Sequence, residues 1–459
     1  MKPLRTSLAC LLSVFIAIAE PAYAQTTTDQ LIAPELLKTD FSVFRDSLEK
    51  LHAGLYTYKS KSQMDQLFNS CSAKLDKPMS LTAFYGVIRY AVSGIEDGHT
   101  SAFLPPENNQ AIIHRSKFFP LLLYFIGTRA STTCAAEGLP AGTEITTIEQ
   151  RPVNALRKEL FTYIPSDGST QTGKYADMND GDSPFFYLYR LIYGACETFE
   201  VGYLDSAGKE RTTQLKAKMF QDFTCRPVPV TFKQYLSLTY QPGGIAVMTI
   251  KSFFNHKLEV THEDFARFLQ ESFTALSDKK IQKLIIDVRD NAGGNDENGA
   301  RLMGYLTRRP FPYYVSIETT SRKFEVKDHD QLAIQQPREP HFTGPVFVLI
   351  NGKCFSGTTD FAGIARNLPH VKFIGEETGG GYYGNTSGAR TALILPNTKI
   401  KVNIPLWKYK AAVKPMKYKD RGIIPDYPLV PTIQDVLQQR DVQMELALKL
   451  ATYTKAPVY

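Results

Sequence analysis

The chain has 459 residues, a formal charge of +7, 22% charged and 43% hydrophobic residues. These values exclude a mostly disordered chain, a collagen-like fibre and a coiled coil, and at roughly 150 residues per domain the length suggests about three domains. The only long apolar run lies at the N-terminus, which excludes a polytopic membrane protein.

That run opens with Lys2 and Arg5, continues as SLACLLSVFIAIA and ends at Ala22-Tyr23-Ala24. A basic start, a short apolar stretch and a small-x-small site read as a secretory signal peptide over 1–24. The mature protein is therefore expected outside the cytoplasm, in a periplasm or the extracellular space, with no stable membrane span after cleavage. Basic residues are scattered, so the surface is expected to be mildly basic and solvated, with no nucleic-acid footprint. Beyond the leader lie Cys71, Cys134, Cys196, Cys225 and Cys354. No C-x-x-C occurs, so no metal site is expected. Export permits disulfides, and one pair among Cys134, Cys196 and Cys225 is expected.

In chain order, apolar residues at helical spacing (Phe41, Phe44, Leu48; Met64, Leu67, Phe68, Cys71) predict helices over 31–97, with Ser80 capping a third. The helical domain is drawn at 25–110, with the turn Glu96-Asp97-Gly98-His99-Thr100 inside it. Residues 115–228 alternate strand-like runs with Gly and Pro turns. Within them 170–183 is polar and Gly/Asp-rich, which predicts a long mobile loop. From 232 to 459 the period alternates between 2 and 3.6, which implies a sheet with helices packed on it. Thr261 and Asp264 predict a capping box, and the apolar strand 283–288 leads into Asp290-Asn291-Ala292-Gly293-Gly294.

Three features carry chemistry. Ser356 follows a strand and turn and opens a predicted helix, where the Gly357 amide and the helix dipole could face an oxyanion. By position alone it reads more readily as a helix cap. The Gly293-Gly294 loop lets backbone amides approach a substrate closely. It is no phosphate cradle, since neither G-x-G-x-x-G nor a following Lys-Ser/Thr is present. His99 is one of eight histidines and sits in a loop with carboxylates beside it. Imidazole is the natural base for a serine hydroxyl, because its pKa lies near neutrality.

The order RDNAGG, NGKCFSGTTDFAGIA, GEETGG and DRGIIPD over roughly 240–430 resembles the core of the C-terminal-processing (tail-specific) serine peptidase family. The resemblance implies an α/β (α+β) multidomain fold: an N-terminal helical cap, a PDZ-like β-rich middle region and an α/β catalytic core of the crotonase-like type. The PDZ-like part is carried by AGTEITTIEQRPV, where a peptide end would bind by strand addition. Ser356 would be the nucleophile, with Gly293 or Gly294 and Gly357 as oxyanion donors. Where the Ser-Lys branch keeps its lysine, this chain has Gly380, Gly381, Tyr382 and Tyr383. Asp97-Gly98-His99-Thr100 is similar to a loop of the branch that includes the tricorn core protease and retinoid-binding-protein-like members, and assigns the base to His99. Asp420 is the expected third member, with Glu96, Asp97 and Glu377 as alternatives. The implied function is an exported serine peptidase acting on peptide or unfolded polypeptide substrates without a cofactor. The alternatives are a non-catalytic peptide or ligand binder, and a Ser-Lys enzyme using Lys372 or Lys410.

Overall fold

The computed structural model describes residues 31–181, 183–225 and 232–454. The expected signal peptide lies outside them. No helix among the described residues is long and apolar enough to cross a membrane.

Helices Pro34–Leu51, Lys61–Ser72 and Leu81–Ile95 fall where the apolar spacing puts them. Ser80 caps the third, its Oγ accepting from the Ala83 amide at 3.2 Å. That helix stops because Glu96 turns left-handed (φ 63°). A six-stranded antiparallel sheet follows among the described residues: Leu123–Ile126, Arg129–Thr132, Glu144–Ile148, Thr198–Leu204 and Glu210–Lys216, with short Arg151–Pro152 paired to Glu144–Ile148. The helical and β-rich segments share one apolar core, in which Phe44, Phe84, Phe119 and Val201 are all buried. A disulfide joins Cys134 to Cys225 across 91 residues, leaving Cys196 free.

The C-terminal part is built on a six-stranded sheet. Leu236–Gln241 runs antiparallel to Ile245–Ile250, and Lys283–Asp287, Val346–Ile350, Val371–Gly375 and Tyr427–Pro428 then add in parallel. Every residue of Lys283–Asp287 and Val346–Ile350 is buried, the signature of strands covered on both faces. Leu284 and Ile286 pack under helices Phe265–Asp278 and Gly357–Ala365, whereas Ile285 and Leu349 meet Ala447 and Ala451 of the Val442–Tyr453 helix.

Two local expectations are corrected. Residues 170–183 contain a helix, Thr172–Asp180, docked by Lys174 Nζ donating to the Phe161 carbonyl at 2.9 Å. Tertiary contacts override its polar composition. No capping box joins Thr261 to Asp264. Asp264 alone caps Phe265–Asp278, and Thr261 ends the preceding short helix Asn255–Val260.

A hairpin, Thr386–Ile394 with Lys401–Ala411, knits the two parts. Its tip places Leu395, Ile400 and Val402 in the N-terminal core, while Tyr409 belongs to the C-terminal one. Lys401–Asn403 pairs with Ser101–Phe103, the strand that begins two residues after His99. Buried Asp40 clamps the hairpin turn, accepting from the amides of Asn397 (2.9 Å) and Thr398 (2.8 Å), from Asn397 Nδ2 and from Thr398 Oγ1. Removing that acceptor strands buried donors, so Asp40→Ala is expected to cost about 3 kcal/mol in urea denaturation. A loss under about 1 kcal/mol would mean that the clamp is not needed.

Candidate active site

The parallel strands end at three loops on one edge of the sheet, where open α/β sheets ordinarily bind ligands. Asp287 leads to the Gly293-Gly294 loop, Ile350 to Ser356, and Gly375 to Gly379–Gly381.

Ser356 occupies the N-terminal boundary of the Gly357–Ala365 helix but does not cap it: its side chain makes no capping hydrogen bond. Its backbone lies at φ 53°, ψ −131°, a region costly for a residue with a Cβ. Such a junction lifts the side chain out of the strand-to-helix turn and leaves the first helical amide open. Its main-chain carbonyl is used by the amides of Thr359 (2.8 Å) and Asp360 (3.1 Å).

The Gly-Gly loop closes against this turn. Gly293 has φ 98°, and a Cβ there would lie 2.8 Å from Ser356 Cβ and 2.9 Å from the Gly357 nitrogen, so only glycine fits. Asn291, fully buried, fixes the loop: Oδ1 accepts from the Gly293 amide at 2.9 Å, Nδ2 donates to the Ile250 carbonyl, and its own carbonyl accepts from the Phe355 amide. The Gly293 amide is thus already engaged. Gly294 forms a parallel bridge with Phe253 through its two neighbours, leaving its own N–H outside the bridge. Of the three expected donors, Gly294 and Gly357 have amides without a partner among the described residues.

His99 reaches the same place from the N-terminal part. Its imidazole stacks on Phe355, the residue before Ser356, with ring centroids 4.6 Å apart. Burial, helped by Arg390 and His52, pulls its pKa down to about 3. The ring is therefore neutral near pH 7. Asp97 shapes the loop, Oδ1 accepting from the His99 amide, the Thr100 amide and Thr100 Oγ1. Behind it, His52 Nδ1 accepts from the Gly54 amide, so its Nε2–H donates to Thr100 Oγ1 at 2.7 Å.

The expected third member is not in place. His99 Nδ1 is buried with no hydrogen-bond partner among the described residues. Asp420 meets the site through its main-chain carbonyl, which accepts from the Ser169 amide at 2.8 Å. Its carboxylate makes no hydrogen bond to His99, because residues 166–170 lie between the two loops. Glu377 is held bidentately by Arg421, Glu96 pairs with Lys59, and Asp97 serves backbone amides. Lys372 lies near Asp426 on the Val371–Gly375 strand, and Lys410 is exposed on the hairpin strand.

Sequence reasoning missed Asn291 and Asp167. Asp167 Oδ1 accepts from the Gly98 amide (2.8 Å) and Oδ2 from the Gly381 amide (3.0 Å). Nothing local marks it, since its partners lie 69 and 214 positions away. Beside these loops opens a cleft of about 1310 Å³, whose walls include Gly98, Ala292, Phe355 and Gly379 together with Tyr85 and Phe103.

Residues 244–429 match the model of peptidase family S41. Among solved structures, mature CPAF superposes with a TM-score of 0.62 at 14% identity, over 91% of this chain and 97% of that one. CPAF in complex with lactacystin gives 0.61 at 15% identity, over 91% and 98%. A structure from Parabacteroides merdae gives 0.51 at 14%, over 93% and 100%. A search of curated proteins finds no match. The chain thus carries a mixed α/β multidomain fold shared with CPAF, and its residues 244–429 match the S41 peptidase model.

His99 has a folded pKa below its ordinary 6.5. Protonation therefore favours the unfolded chain, and the contribution of the neutral ring is lost as pH falls from about 6.5 toward 3. The wild type should lose stability relative to His99→Gln over that window, with a slope approaching about 1.4 kcal/mol per pH unit. Parallel stability curves from pH 7 to 4 would show that His99 is not held neutral.

Proposed function

We propose that the protein is an exported serine peptidase that cleaves polypeptide substrates through an acyl-enzyme on Ser356, with His99 as general base. One observation carries the reading. An uncapped serine at a strained strand-to-helix turn lies against the Gly-Gly loop and beside the open Gly357 amide, and a neutral imidazole stacks on the residue before it. The S41 match over 244–429 supports the same reaction class.

In this reading a substrate chain lies in the cleft with its carbonyl over Ser356. His99 takes the hydroxyl proton as Oγ bonds to the carbonyl carbon, and the oxygen gains negative charge. The Gly294 and Gly357 amides receive that charge, aided by the positive end of the Gly357–Ala365 helix. On collapse the C–N bond breaks, and the imidazolium returns its proton to the leaving amine. Water, deprotonated by the same ring, then releases the acyl group and restores the serine. The base acts without a carboxylate bonded to Nδ1, so this is a Ser-His pair. The Ser-Lys alternative lacks support, since Lys372 and Lys410 stand on exposed strand positions away from the turn. The leader-like N-terminus and the Cys134–Cys225 disulfide both suit an oxidising compartment.

Hydrolysis of an unfolded polypeptide, followed by gel and mass spectrometry, should be abolished by Ser356→Ala. His99→Ala should reduce it by about 10³-fold or more, and Lys372→Ala should leave it unchanged. Undiminished cleavage by Ser356→Ala would exclude the reading.

A further inference from the structure

One short segment, 166–172, touches the His99 loop, the Gly379–Gly381 loop and the Asp420 loop. The Gly168 amide donates to the Glu96 carbonyl at 2.9 Å, and the Ser169 amide to the Asp420 carbonyl at 2.8 Å. Thr170 Oγ1 lies 3.0 Å from the Gly379 carbonyl. A Cβ on Gly168 (φ 56°) would meet the Asp420 carbonyl oxygen at 2.4 Å, so the segment is seated against backbone with no slack. At its centre Asp167, 1% exposed, uses one oxygen for the Gly98 amide and the other for the Gly381 amide.

The geometry points to Asp167 as the positioning residue that clamps the His99 loop to the Gly379–Gly381 loop, and so sets where the imidazole stands relative to Ser356. This deepens the peptidase reading and rests on it. The two loops come from different parts of the chain, and the backbone bonds that reach both of them run through this segment. A carboxylate suits the role because both its oxygens accept, and both its partners are N–H donors. An amide in the same volume accepts at one oxygen and presents N–H to the other donor. Burial and the neighbouring Asp97 push the Asp167 carboxyl up to about 7, so holding the clamp ionised carries an electrostatic cost. Asp167 does not touch the reacting atoms. It acts through the position of His99.

The test is Asp167→Asn in the full chain, compared with the wild type by hydrogen exchange and by steady-state peptide hydrolysis. Exchange should rise about tenfold or more at 96–100 and 379–382, while the 283–288 strand keeps its protection. The kcat should fall about 10–100-fold with KM within about threefold, as expected when a base is misplaced and binding is not. Ser169→Ala, which alters the same segment but leaves the clamp, should keep wild-type kcat. Unchanged exchange in both loops, or a loss carried by KM alone, would overturn the assignment. Should Asp167→Asn fail to fold, Asp167→Glu keeps two acceptor oxygens but displaces them from Gly98 and Gly381, and is read by the same exchange. Loosening at 96–100 and 379–382 supports the clamp, and unchanged exchange overturns it. Because exchange does not depend on turnover, loosened loops in a protein whose wild type never cleaves peptide would sink the peptidase reading and leave the clamp standing.

Discussion

The strained backbone at Ser356 is the constraint on which the site depends. A residue with a Cβ is held at φ 53° only where its surroundings leave no alternative. Here those surroundings are the buried Val346–Ile350 strand before it, the buried Gly357–Ala365 helix after it, and Gly293 pressed against its Cβ. The same strain points the hydroxyl away from the capping position and leaves the Gly357 amide free. Packing on both faces of the parallel sheet therefore does chemical work at its edge: it stabilises a turn that local propensity would abandon.

The second requirement is delivery of His99 from a different part of the chain. Three devices act together. The Ser101–Phe103 strand is stitched to the hairpin that rises from the C-terminal core. Asp40 fixes the tip of that hairpin to the first helix. Asp167 ties the histidine loop to the glycine loop beyond the sheet. Each places a buried carboxylate or a strand pair where a one-residue slip would strand several donors. The separation of His99 and Ser356 along the chain thus does not imply a loose site. A neutral, half-buried imidazole follows from this arrangement: the contacts that place the ring desolvate it, which keeps it unprotonated and also lowers its basicity in the substrate-free site.

The elements that carry the site were legible in the sequence, for reasons that are local: apolar strands lead into the loops of Gly293, Gly294 and Ser356, and a capped helix precedes the His99 turn. The roles given to Ser356, His99 and the glycines came from the family resemblance, since by position alone Ser356 read as a helix cap. Helices 34–51, 61–72 and 81–95 followed from apolar spacing alone. What escaped was long-range. Asp167, Asn291 and Asp40 look like ordinary loop or helix polar residues until their distant partners are seen. The polar stretch 170–183 read as a mobile loop because its helix is stabilised by docking, not by its own composition. Asp420 was assigned by motif position, and only the fold shows residues 166–170 lying between its loop and His99. The pairing of Cys134 with Cys225 likewise needed coordinates, since three cysteines lay within reach.

In the proposed reaction Ser356, His99 and the Gly294 and Gly357 amides form one reacting constellation. It is tested most directly by a crystal structure of the protein after reaction with a fluorophosphonate. The expected adduct has phosphorus bonded to Ser356 Oγ, the phosphonyl oxygen about 3 Å from both amide nitrogens, and a His99 ring nitrogen within hydrogen-bond reach of Oγ. An unmodified Ser356, or an adduct whose oxygen turns away from both amides, would contradict it.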